Sequence, residues 1–107
     1  MDDASRVGLT ETEVMLRDTV RAFAEQEAVP VAQKYEERGE DPVALLRRLG
    51  ELGLAGIPFA EEHGGGGQPY RTYLLVVEEL ARAWTALAVG VAVHSLVCDA
   101  ISRFASP

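Results

Sequence analysis

Five groups of residues in this chain are of types, or at spacings, that could do chemistry. The run Gly64-Gly65-Gly66-Gly67 offers successive backbone amides of the kind that cradle a phosphate. It lacks the Lys-Ser/Thr of a phosphate-binding loop, and no strand precedes it as a dinucleotide fingerprint demands, so a plain flexible connection is expected. Glu78 and Glu79 are carboxylates suited by type to acid-base work. Helical neighbours point about 100° apart, so the two cannot flank one substrate. One should be solvated and the other held in a structural hydrogen bond. His63 beside Glu61 and Glu62 has metal-binding donor types, but the chain holds 2 histidines, in different segments. A site with three or more protein ligands is therefore not expected. His94, in an apolar stretch, reads as a hydrogen-bonded core or interface histidine rather than a catalyst. No side chain is placed as a nucleophile beside a base. The expectation is no catalytic residue and no metal.

The fifth group is quieter. Ala88, Ala92 and Leu96 recur every fourth residue near the end of the chain, with Val89 beside them. Small side chains on a buried helix leave room for something. Taken alone, they favour close packing by a neighbouring helix.

The elements that position these residues are helical. Thr10 and Glu13 form a capping-box pattern, with Leu9 and Val14 at the staple positions, so a helix starts at Glu11. Leu16, Val20, Phe23, Ala24, Ala28, Val31 and Tyr35 continue its apolar stripe to a close at Gly39, with a kink expected at Pro30. Asp41-Pro42 signals a second start, aspartate as cap and proline as first helical residue, with Leu45, Leu46, Leu49 and Leu52 inward. Gly53 can close that helix in the left-handed conformation, and Pro58 prevents a restart. Ile57 and Phe59 should be buried. A third helix is expected from Tyr70 to about Ala83, with Tyr73, Leu74, Val77, Leu80, Ala81 and Trp84 inward. Thr85 can cap a fourth, which has no polar side chain from Ala86 to Val93. A helix apolar all round is buried on every side, and this one needs more partner surface than the chain easily supplies. The apolar run falls short of the roughly 18 to 20 residues that cross a bilayer, so no membrane span is expected.

Composition narrows the function classes. The 107 residues suffice for one domain, and 48% hydrophobic content excludes disorder as the main reading. A net charge of -7 argues against nucleic-acid or anionic-membrane partners. The single cysteine, Cys98, can form no internal disulfide. Asp2 and Asp3 after Met1 give no secretory signal and speak against mitochondrial import, leaving a cytoplasmic expectation. Residues 1–8 read as a flexible start and 9–107 as the domain.

Three pieces carry a resemblance. Leu49-Gly-Glu-Leu-Gly-Leu-Ala-Gly-Ile-Pro, then Glu61-Glu62-x-Gly64-Gly65-x-Gly67, then Glu78-Glu79-Leu80-Ala81-Arg82 stand in an order and spacing similar to the amino-terminal helical domain of acyl-CoA dehydrogenases. The likeness runs from about Leu9 to Pro107; Gly66 and Ala60 depart from the family's usual larger residue and proline. The resemblance implies an all-α fold, a four-helix up-down bundle with a long Gly/Pro-containing loop between the second and third helices. It implies part of a flavoenzyme that oxidises an acyl-CoA thioester to the trans-2-enoyl form. FAD would be bound mainly by a middle β domain and a C-terminal helical domain not present here. An electron-transfer flavoprotein would be the redox partner and the complete protein a homo-oligomer. It also reverses the reading of the last helix, where Ala88, Val89, Ala92 and Leu96 match the closed end of the acyl pocket. This segment alone would be inactive. A free-standing helical interaction module, or part of an acyl-CoA oxidase or flavin monooxygenase of the same superfamily, are the alternatives.

Overall fold

Thr10 and Glu13 begin the first helix in the computed structural model, which describes residues 8–106; of the expected loose start, residues 1–8, only Gly8 lies among them. The Thr10 hydroxyl accepts the Glu13 amide at 3.1 Å and the Glu13 carboxylate accepts the Thr10 amide at 3.0 Å, a complete capping box. Helix α1 (Glu11–Phe23) then passes through a π-helical turn, Ala24–Ala28, into α2 (Val29–Arg38) without leaving helical angles. The Val29 amide reaches back to the Ala24 carbonyl, a wider ring than the α-helical one. Pro30, just beyond, has no amide to donate, and the expected irregularity takes this π form ahead of the proline. Gly39, at φ 63, closes the rod.

The start of α3 (Val43–Glu51) differs from expectation. Pro42, at ψ 43, is the residue before the helix, and neither it nor Asp41 caps with a side chain. The Pro42 carbonyl takes the first turn's bond, from the Leu46 amide at 3.0 Å. At the other end Gly53, at φ 77, reverses the chain, and the Leu54 amide bonds back to the Leu49 carbonyl at 2.9 Å. That reversal moves the last inward position from Leu52, 40% exposed, to Leu54, which is buried.

The glycine run is not a flexible connection. It lies back along residues 56–59, with the Gly66 amide bonded to the Gly56 carbonyl, Gly67 to Phe59 and Gln68 to Ile57, all within 2.8–3.0 Å. A Cβ on Gly65 would stand 2.2 Å from the Phe59 carbonyl oxygen, so only glycine lets these backbones meet. Ile57 is buried beneath the contact and Phe59 half-buried.

Helix α4 (Tyr70–Ala83) packs on α1 and on α5 (Thr85–Phe104), and α3 also meets α5. Packed against α1, the π-helical turn and α5, α4 buries an arc running through Thr72, Tyr73, Val76, Glu79 and Leu80, and Leu74, expected inward, faces out. One extended residue, Trp84 at φ -162 and ψ 108, turns α4 into α5; Thr85 is the first residue of α5 and caps nothing. The Trp84 indole N–H donates to Glu36 at 2.6 Å, and its ring meets Tyr35 edge-on at 5.6 Å, tying this corner to α2. No strand occurs among the described residues, so the fold class is all-α.

The Cα extents are 41 × 37 × 17 Å. At about 10 Å per helix layer, the thin dimension holds two layers, and no helix can be covered on every side. α5 accordingly buries one stripe, Leu87, Ala88, Val91 and Ser95, and leaves Val89, Val93, Leu96, Val97, Ile101 and Phe104 exposed. At 20 residues it exceeds the run read from sequence and is, by length and composition alone, apolar enough to cross a membrane. Its buried stripe is nonetheless part of this domain's core.

Two measurements check these constraints. Gly65→Ala should lower stability by about 1–3 kcal/mol, because backbone atoms must move. Gly50→Ala, in a helix with open space around it, should raise stability by about 0.5–1 kcal/mol; paired thermal melts read both. The second concerns Glu13, whose carboxyl is held below its ordinary value of 4.5 by the Thr10 amide first, then by Arg71, against the opposing effect of burial. Its contribution is fully present above about 4.5 and is lost as the pH falls through the lower folded-state value. Glu13→Gln should therefore melt below the parent at neutral pH, and the gap should close in acid. A pH-independent gap would assign the loss to packing.

Candidate functional site

α5 crosses α3 closely where Gly90 faces Leu46. A Cβ on Gly90 would lie 3.0 Å from both Leu46 methyl groups. Beyond this crossing the helix and the glycine-lined loop diverge and enclose an open groove of about 1520 Å³. Ala92 and Leu96 line it from α5, Phe59 and Gly65 from the loop, and Tyr70 and Tyr73 from α4. The two tyrosine rings sit 5.2 Å apart, tilted by 41°.

The four positions singled out on α5 do not converge on this groove. Ala88 is 4% exposed and belongs to the core cluster, while Val89, 54% exposed, faces away. Ala92 is half-buried at the groove wall, and Leu96, 69% exposed, stands at its rim. Two of the four thus share one concavity. The walls combine apolar side chains with tyrosine and serine hydroxyls and with Glu62, His63, His94, Asp99 and Arg103, so only part of the groove suits a chain-like apolar ligand.

The other candidates resolve as structure. The amides of Gly64, Gly65, Gly66 and Gly67 all donate to backbone carbonyls, so none is turned toward an anion. Glu78 is exposed, while Glu79 is buried and accepts two bonds from Arg21, Nε at 3.1 Å and a terminal nitrogen at 2.6 Å. That carboxylate beside it raises the Arg21 guanidinium above its already high ordinary value. Arg82 approaches the same carboxylate at 3.7 Å. His63 is exposed, 3.5 Å from Glu62, and no three-residue metal-binding group occurs among the described residues. His94 stands exposed on α5, with Nε2 3.5 Å from the Cys98 sulfur, which removes the core half of its core-or-interface expectation. α5 turns only one stripe inward, and His94 lies off it.

Several residues had no sequence signal. Arg17 is 2% exposed, with Asp18 at 3.3 Å, and nothing in the periodicity of α1 marks it as inward. The partners Arg21–Glu79 and Arg71–Glu13 lie 58 residues apart.

Comparison with known proteins gives a consistent outcome. Residues 10–107 match the model of the acyl-CoA dehydrogenase N-terminal domain. The chain is 44% identical over 75 residues to the probable acyl-CoA dehydrogenase YngJ of Bacillus subtilis, covering 70% of this chain and 20% of that protein. It is 40% identical over 101 residues to the mitochondrial short-chain specific acyl-CoA dehydrogenase of Mus musculus, covering 94% of this chain and 24% of the relative. A solved structure, described as the electron transferring flavoprotein of Acidaminococcus fermentans in work towards a mechanism of flavin-based electron bifurcation, superposes with a TM-score of 0.88 at 31% identity. The superposition covers 99% of this chain and 27% of that one. The chain thus spans a quarter or so of the length of the proteins it matches.

Glu79→Ala should cost about 2–3 kcal/mol by stranding Arg21, whereas exposed Glu78→Ala should stay within about 0.5 kcal/mol. Chemical denaturation of the two variants separates a structural carboxylate from a free one.

Proposed function

Since this chain belongs to the acyl-CoA dehydrogenase family, as its N-terminal domain, we propose that it forms one wall of the acyl-binding site in a flavin-dependent acyl-CoA dehydrogenase. The whole protein would oxidise an acyl-CoA thioester to its trans-2-enoyl form. The observation that carries this reading is the groove beside α5, where the small Ala92 and the apolar Leu96 stand opposite the ordered glycine loop. In this proposal Ala92 and Leu96 contact the far end of the acyl chain. Val89 extends the same apolar surface toward domains that would lie against the open face of α5, and Ala88 sets the depth of the helix beneath it. The four helical rods act together as an up-down bundle. Their contribution is to bind an apolar chain and exclude water.

No step of the oxidation is derived from these residues. The glycine amides that could have met a flavin's phosphates are bonded to backbone carbonyls, and Arg21 and Arg71 are engaged by Glu79 and Glu13, which supports placing the flavin elsewhere in the longer protein. FAD is assigned in this proposal to a middle β domain and a C-terminal helical domain of the longer protein. An electron-transfer flavoprotein as redox partner, a homo-oligomeric assembly and a cytoplasmic setting complete the reading. The likeness to a structure described as an electron transferring flavoprotein supports flavin-based electron transfer at the family level.

The test is a chain-length series on the complete enzyme. Ala92→Phe should fill the end of the groove and lower kcat/KM steeply for long acyl chains and little for short ones. Each methylene denied burial forfeits about 0.8 kcal/mol, roughly fourfold in binding. Stability should fall only modestly, because the groove has space that a packed core lacks. Ala88→Phe, in the core, should instead lower the melting temperature sharply. An equal loss of activity across all lengths with a large drop in melting temperature for Ala92→Phe would show that Ala92 faces a neighbouring helix.

A further inference from the structure

We propose that Glu36 is a positioning residue for the acyl groove, acting through Trp84 to set the angle of α5 and with it the length of chain the groove accepts; this rests on the acyl reading above. A single extended residue, Trp84, joins α4 to α5, so no loop absorbs a change in the direction of α5. The Trp84 carbonyl takes the first bonds of α5, from the Leu87 amide at 3.1 Å and the Ala88 amide at 3.4 Å. Its backbone thus belongs to the start of α5, while its side chain is held by α2. The indole is buried, meets Tyr35 edge-on, and donates its N–H to the Glu36 carboxylate at 2.6 Å. Indole has a single donor, and a bond to a charged acceptor is short and strong.

The far end of α5 has no such anchor among the described residues. Its side-chain hydrogen bonds stay within the helix: Ser102 to the Asp99 carbonyl, Arg103 to the Asp99 carboxylate, and His94 with Cys98. Its buried stripe ends at Ser95. At the crossing with α3, the atoms facing Gly90 are the methyl ends of Leu46, which can yield, so this contact is a pivot rather than a lock. Gly90 lies midway between Trp84 and Leu96, about 9 Å along the axis from each. A sideways shift of the Trp84 end therefore reaches Leu96 undiminished and in the opposite sense. A shift of about 1.5 Å, the length of one carbon–carbon bond, adds or removes room for about one methylene. Glu36 is exposed, so removing it opens no cavity in the core but frees the indole to turn toward water.

The experiment is the chain-length series on the complete enzyme, with Glu36→Ala, Glu36→Gln and Trp84→Phe beside Ala92→Phe, each accompanied by a thermal melt. Glu36→Ala and Trp84→Phe, which keeps a ring but lacks the donor, should change the ratio of kcat/KM between chains one methylene apart by roughly fourfold, the worth of one buried methylene. The change should fall mainly on KM. Glu36→Gln keeps an acceptor oxygen and should retain the parent's preference. An unchanged ratio in Glu36→Ala, whatever its melting temperature, would reduce the contact to a structural tie. An equal change in Glu36→Gln and Glu36→Ala would show that the hydrogen bond is not what positions α5. Either result overturns the proposal and leaves the acyl reading standing if Ala92→Phe still alters the chain-length dependence. No chain-length effect of Ala92→Phe would overturn the acyl reading, and this inference with it.

Discussion

Much of this domain depends on one place where backbone meets backbone. Gly65 lies so close to the Phe59 carbonyl that a methyl group there would be 2.2 Å from the oxygen. The close approach lets the Gly66, Gly67 and Gln68 amides pair with carbonyls of residues 56–59, so a stretch without α-helix still has its polar groups satisfied. The consequence reaches past the loop. Its ordered backbone buries Ile57 and supplies the wall of the groove opposite α5.

A second constraint is thickness. Two helix layers cannot enclose a helix that is apolar on every face, so α5 keeps a buried stripe and shows the rest. Exposed apolar surface of this extent marks an interaction site. The chain spans about a quarter of the length of its relatives, and the function proposed above would set other parts of such a protein against this surface. α5 thus serves as core on one side and presents an apolar surface on the other.

Polar contacts fix how the helices sit. Arg21 to Glu79 ties α1 to α4 through a part-buried pair, Arg71 to Glu13 ties the start of α4 to the first turn of α1, and Trp84 to Glu36 ties the α4–α5 corner to α2. A hydrophobic stripe sets which face turns inward but tolerates rotation and sliding. A two-pronged guanidinium–carboxylate pair does not. These contacts account for the rotation of the buried arc of α4 away from Leu74 and toward Val76 and Glu79.

Local chemistry was legible in the sequence. The Thr10–Glu13 box, the Gly39 and Gly53 closures, the span Tyr70–Ala83 and the division of labour between Glu78 and Glu79 all follow from a few neighbouring residues. The family motifs were legible for the same reason, because short pieces in fixed order survive without knowledge of contacts. Tertiary structure alone decided whatever depended on a distant neighbour. It placed Leu54 rather than Leu52 inside, turned the glycine run into a tight back-fold, put His94 outside, and parted Ala88 and Val89 from Ala92 and Leu96. Periodicity reports that a helix has an apolar face. It cannot report how many neighbours share that face, and the number and angle of those neighbours determine which residues meet a ligand and which meet the core.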